Sequence, residues 1–320
     1  VSALYPDIEP GETGRLAVGD SHELAWEVCG NPGGYPVVVL HGGPGSGRSR
    51  TARRLFDPAH YRVILFDQRG CGASTPHASE AGVDLSVVTT ETMLLDIERL
   101  RARFEIDRWL VYGSSWGATL ALLYAQRWPA RVGGLILSSV ATTTRREIDW
   151  ITRGVGAFLP EAWERFRRAV PAAGRDGDLP TAYHRLLMDP LPSVTQRAAE
   201  AWCAWEQALV AIDPGHVPHP RFADPRFRLA FARLVTHVWS NRAWLHDGQI
   251  LEDAGRLAGI PGALIHGRLD ISGPLVTSWE LARAWPDATL VPVATAGHDS
   301  RDPGMHEAIV AATDRFREIG

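Results

Sequence analysis

Short apolar runs punctuate the chain at residues 37–40, 62–66, 109–112, 135–137, 263–265 and 289–291. They are brief and rich in β-branched side chains, a pattern that predicts strands buried on both faces of a parallel sheet. Between the second and third runs, Met93, Ile97, Leu100 and Phe104 are spaced by four, three and four residues, which predicts a helix with one apolar face. Residues 141–249 carry no convincing strand. Their texture is helical, as in Glu161-Ala162-Trp163-Glu164-Arg165-Phe166 and Leu229-Ala230-Phe231-Ala232-Arg233, and they hold Trp150, Trp163, Trp202, Trp205, Trp239 and Trp244. The pattern predicts an α/β protein with a mostly parallel, doubly wound central sheet and helices on both faces. Residues 1–140 and 250–320 form its core and residues 141–249 an inserted helical cap. Catalytic loops then belong at the carboxyl ends of the strands, and the tryptophans of such a cap pack its core or line an apolar pocket.

Composition narrows the classes. With 320 residues, 22% charged and a net charge of −4, the chain offers no basic face, so nucleic acid is not an expected partner. Cys29, Cys71 and Cys203 are odd in number, widely spaced and lack a C-x-x-C pair, which argues against a disulfide framework and a structural zinc site. No run approaches the ~18 apolar residues of a membrane helix. The stretch Val1-Ser2-Ala3-Leu4-Tyr5-Pro6 lacks the basic and apolar regions of a signal peptide. A cytoplasmic protein without membrane contact is expected; its oligomeric state stays open.

The chemistry is carried by Gly113-Ser114-Ser115-Trp116-Gly117, a G-x-S-x-G pattern between a buried strand and a helix. Such a junction holds a serine on a sharp turn with its hydroxyl exposed. A serine hydroxyl needs a base to become a nucleophile, and the base needs an orienting carboxylate. His298 follows the last predicted strand and Asp270 follows the one before, so both belong at the same sheet edge as Ser115. The order Ser115, Asp270, His298 is that of α/β-hydrolases. An oxyanion hole requires two backbone N–H donors. Trp116, after the nucleophile, offers one. Gly43 or Gly42, in His41-Gly42-Gly43-Pro44-Gly45, offers the other, with His41 fixing the loop. No G-x-G-x-x-G opens a helix after the first strand and no Walker lysine follows, so no nucleotide site is expected. The triad needs neither metal nor organic cofactor.

With these residues in hand, the chain resembles the proline iminopeptidases, prolyl aminopeptidases of the α/β-hydrolase fold. The likeness runs almost end to end. It includes Leu4-Tyr5-Pro6, Cys29-Gly30-Asn31-Pro32, the His41 loop, Asp67-Gln68-Arg69-Gly70-Cys71-Gly72, the Ser115 motif, Trp205-Glu206, His266-Gly267-Arg268-Leu269-Asp270 and Gly297-His298. The resemblance implies a hydrolase core, a helical cap, and cleavage of an amide behind a free N-terminal amino acid. It also implies that Glu206, flanked by Trp202 and Trp205, binds the substrate ammonium; a desolvated ammonium requires a paired charge.

Three positions depart from the family. Ser138 stands for its arginine, Ala141 for the phenylalanine that borders the proline ring, and Val235 for its second ammonium-binding glutamate. Together with Trp202 and Trp205, these residues are expected to line a roomier, more apolar pocket. Such a pocket suits a long apolar acceptor, and the resemblance, which extends to relatives in natural-product pathways, then implies an aminoacylated small molecule, such as a macrolactam polyketide intermediate, as the expected substrate. An N-terminal prolyl peptide is the alternative, and a carboxylesterase the alternative from another reaction class.

Overall fold

All six apolar runs become strands of one eight-stranded sheet. The computed structural model describes residues 4–211 and 216–318; Val1, Ser2 and Ala3 of the N-terminal stretch lie outside the described residues. In spatial order the sheet runs β1 (Glu12–Gly19), β2 (His22–Gly30), β4 (Tyr61–Phe66), β3 (Tyr35–Leu40), β5 (Trp109–Ser114), β6 (Val132–Ser138), β7 (Gly262–Gly267) and β8 (Ala288–Val293). From β4 to β8 every pairing is parallel, and these six strands are the six apolar runs. The expected α/β-hydrolase architecture is therefore present.

The antiparallel hairpin of β1 and β2 lies outside the predicted runs. β1 is an edge strand whose residues are mostly exposed or half-buried. β2 carries Glu27 among its buried positions. Burial of that carboxylate is tolerable because Arg53 and Arg48 bind it at 2.7 and 3.0 Å.

Helices cover both faces of the sheet. They are α1 (Arg50–Arg53), α2 (Thr90–Arg103), α3 (Trp116–Arg127), and, after the cap, α10 (Val276–Ala284) and α11 (Met305–Phe316). Met93, Ile97, Leu100 and Phe104 are all buried, as their spacing predicts. α3 follows β5 directly, and almost all of its residues are buried.

Between β6 and β7 the described residues form only helices: α4 (Arg145–Thr152), α5 (Pro160–Arg168), α6 (Leu179–Leu187), α7 (Pro192–Val210), α8 (Pro225–Ser240) and α9 (Gln249–Glu252), with short 3₁₀ turns. Their core is aromatic. Phe166 stacks on Tyr183 and Trp205 with ring centres 4.7 and 5.2 Å apart, and Trp202 meets Tyr183 edge-on at 5.1 Å. No helix of the described residues is long and apolar enough to cross a membrane.

Candidate active site

Ser115 sits on the turn between β5 and α3 with φ 55° and ψ −119°, a left-handed conformation that costs an ordinary residue about 1–3 kcal/mol. The glycines around it make the turn feasible. A Cβ on Gly113 would lie 2.3 Å from the Gly117 carbonyl oxygen, and one on Gly117 would lie 2.0 Å from that of Leu40. The turn is tied to the sheet by the Ser115 N–H, which donates to the Ser138 carbonyl at 3.0 Å.

His298 and Asp270 reach the same edge from the loops after β8 and β7. Asp270 Oδ2 lies 2.6 Å from His298 Nδ1, and His298 Nε2 lies 3.1 Å from Ser115 Oγ. Donation from Nδ1–H to the carboxylate leaves Nε2 free to accept the serine proton. The loop holds Asp270 rigidly: its Oδ1 accepts from the Ser272 N–H, the Ser272 hydroxyl and the Gly273 N–H at 3.0, 2.8 and 2.8 Å. Burial alone would raise its pKa, but the neighbouring imidazoles of His298 and His266 hold it well below the usual carboxylate range. Burial likewise favours neutral His298, yet Asp270, and then Glu206, outweigh it and push the imidazole up to about 9.

The early loop is fixed from behind. His41 Nε2 accepts the Gln68 N–H at 3.1 Å, so its Nδ1 carries the proton and donates to the Gly42 carbonyl at 2.9 Å. The Gln68 side chain donates to the His41 carbonyl at 2.9 Å and accepts from the Trp116 indole at 3.1 Å, which couples this loop to the start of α3. Gly43 takes φ +112°, where a Cβ would strike the N–H of Gly45. Trp116 opens α3, where a backbone N–H has no carbonyl one turn back to bond. His41, Asp67 and Cys71 bring possible metal-ligating atoms within 4.8 Å of one another. Those atoms are already engaged: Asp67 receives the Arg48 N–H, the Arg48 guanidinium and the Ala73 N–H, and His41 the Gln68 N–H.

Two cavities meet at Ser115, and Gly43, Glu206 and His298 line both. The smaller is walled mainly by apolar residues, among them Val140, Ala141, Ile148, Ile151, Leu209 and Trp239. The larger, about 270 Å³, opens between the early loop and the cap. Glu206, on α7, accepts from the Trp202 indole at 3.1 Å. Burial pushes its carboxyl up to about 7, against the nearby positive charges of His298 and Arg221.

The pocket expectation needs correction at four positions. Ser138 is buried and its hydroxyl bonds Tyr112 at 2.9 Å. Trp205 donates its indole to the Ile151 carbonyl at 3.0 Å from within the cap core. Val235 and Trp202 are wholly buried there too. None of the four lines either cavity: Trp202, Trp205 and Val235 pack in the cap's aromatic core, and Ser138, at the end of β6, is held within the sheet by Tyr112. Ala141 does line the smaller cavity, beside Trp239. Glu147 also lines it, but its oxygens are occupied by the Thr142 and Thr144 N–H groups and by hydroxyls of Thr142, Thr144 and Thr277. Gln68 and His266 were missed among the candidates, although both lie at strand ends within stretches that carry the resemblance.

Comparison with known proteins agrees with this fold. The family model described as the alpha/beta hydrolase fold matches residues 35–302. A probable proline iminopeptidase of Streptomyces coelicolor is 51% identical, the alignment covering 99% of each chain. A proline iminopeptidase of Xylella fastidiosa is 43% identical over 98% of this chain and 99% of its own. Among solved structures, the proline iminopeptidase of Mycobacterium smegmatis superposes with a TM-score of 0.63 at 22% identity, covering 96% of this chain and 98% of that one, a likeness of fold.

Proposed function

The chain belongs to the proline iminopeptidase family of α/β-hydrolases, and on that premise we propose that it is a serine aminopeptidase releasing N-terminal proline from short peptides. The observation that carries this reading is Glu206 standing where both cavities meet Ser115, a carboxylate placed to take the amino group of the residue being released. In this mechanism Ser115 Oγ attacks the scissile carbonyl while His298 Nε2 takes its proton, and Asp270 stabilises the imidazolium. Backbone N–H groups of Trp116 and Gly43 receive the oxyanion. His298 then protonates the leaving amine, and water, activated by the same base, hydrolyses the prolyl ester of Ser115.

The proline ring belongs in the smaller cavity. Trp239 there supplies an aromatic wall where Ala141 leaves none, and Ser138 and Val235, which line neither cavity, do not widen it. Ser138 and Val235 therefore lend an aminoacylated macrolactam no support, and the relatives of this chain named above are proline iminopeptidases. The test is kcat/KM measured side by side for prolyl, alanyl and long-chain aminoacyl naphthylamides and a simple aryl ester. Prolyl amide should lead by about tenfold or more, a difference of about 1.4 kcal/mol. A lead for the long-chain aminoacyl amide or for the ester overturns the reading.

A further inference from the structure

The larger cavity holds a cation that the mechanism does not use. Three arginines line it: Arg48, Arg221 and Arg301. Arg48 is paired with Glu27 and Asp67, at 3.0 and 3.1 Å, and Arg301 with Asp299 at 2.5 Å. Arg221, on the 3₁₀ turn Pro220–Ala223, has no carboxylate within ion-pair distance among the described residues. Its Nη1 donates to the Ser46 carbonyl at 3.2 Å, while its buried Nε has no hydrogen-bond partner. The guanidinium carbon lies 5.4 and 5.1 Å from the ring centres of Phe222 and Phe227. The residue is half-buried, and burial opposes its charge; Asp299, beyond ion-pair distance, favours it, and Arg301 opposes it. A partly buried guanidinium with no direct ion pair is costly to the fold. A guanidinium lining a cavity binds a carboxylate through charge-assisted hydrogen bonds.

We propose that Arg221 receives the α-carboxylate of the leaving group, which tunes the enzyme to prolyl dipeptides. The inference rests on the aminopeptidase reading and names its substrate class. The aminoacyl group occupies the smaller cavity, so the departing amine extends into the larger one, where Arg221 lies. In a dipeptide the carboxylate is one residue beyond the scissile bond. A zwitterionic dipeptide then meets complementary charges, its ammonium at Glu206 and its carboxylate at Arg221. An inorganic anion such as phosphate shares the carboxylate's chemistry, and the assay separates the two.

The experiment compares kcat/KM for prolylglycine and prolylglycinamide, which differ only in that terminal charge. In the wild-type enzyme the free acid should be preferred by about tenfold or more, the scale of a buried charge pair. In Arg221→Gln the acid-to-amide ratio should fall to near one, and Arg221→Lys should keep part of it. The ratio is the readout because misfolding or a displaced loop lowers both substrates alike. A wild-type ratio near one, or a ratio unchanged in Arg221→Gln, overturns the proposal. Phosphate that inhibits the amide as strongly as the acid, with no acid preference, marks a simple anion site and also overturns it. Cleavage of prolyl naphthylamide is measured first. Its absence removes the aminopeptidase reading and this inference with it, whereas cleavage without acid preference removes the role of Arg221 alone.

Discussion

Replacing Glu206 with glutamine removes one charge and almost no volume, and the new amide oxygen can still accept from the Trp202 indole. The cap core is thus left intact and the loss is electrostatic. Burial moves this carboxyl from 4.5 to about 7, so charging it costs about 3 kcal/mol, a penalty that a bound ammonium relieves. Breaking such a pair costs about 2–5 kcal/mol, which corresponds to a fall of about 30-fold to about 5,000-fold in kcat/KM for prolyl amides. An aryl ester without an amine never uses the charge and should lose less than about threefold. A second readout comes from His298, which Glu206 helps to hold in its protonated form. Because the base must be neutral to act, removing the carboxylate should shift the acid limb of ester hydrolysis to lower pH. Equal losses for amide and ester, or an unmoved limb, refute the assignment of Glu206.

In the wild-type enzyme, kcat/KM should fall as pH drops through the titration of His298, because the raised pKa favours an imidazolium that cannot accept the serine proton; a profile flat through this region contradicts its role. Asp270→Asn should lower kcat by about 10⁴-fold through loss of the orienting charge, and a fall under about a hundredfold would assign that job to another group. Arg69 is fully buried and bonds Asp96 at 2.6 and 3.0 Å. Arg69→Ala should therefore destabilise the fold by about 3 kcal/mol, the lower end for a broken buried pair, since Arg99 at 3.0 Å still partners Asp96. Chemical denaturation measures this, and a loss below about 1 kcal/mol refutes it.

What the sequence carried and what it hid follow from the same physics. Strands buried on both faces write themselves as apolar runs, so β3 to β8 were legible, and with them the loops that bring Ser115, Asp270 and His298 together. β1 and β2 were not, because an edge strand needs no apolar run and β2 hides a paired Glu27 in its core. Pocket membership failed for a related reason. Trp202, Trp205 and Val235 share α7 and α8 with residues that line the cavities, and helix periodicity alone does not say which side faces the hole and which the aromatic core. Trp239 does face the hole, and nothing in its sequence neighbourhood separates it from Trp202. Gln68 and His266 act through hydrogen bonds to residues distant in sequence, and only folding reveals those partners.

The central claim is that Ser115, held by His298 and Asp270, is the nucleophile of an enzyme acting on free-amine prolyl substrates. Labelling with a fluorophosphonate, followed by peptide mapping, tests it most directly. The account predicts an adduct on Ser115 alone, absent from Ser115→Ala and slowed by a competing prolyl amide. An adduct on Ser114, or prolyl amide turnover surviving in Ser115→Ala, contradicts it.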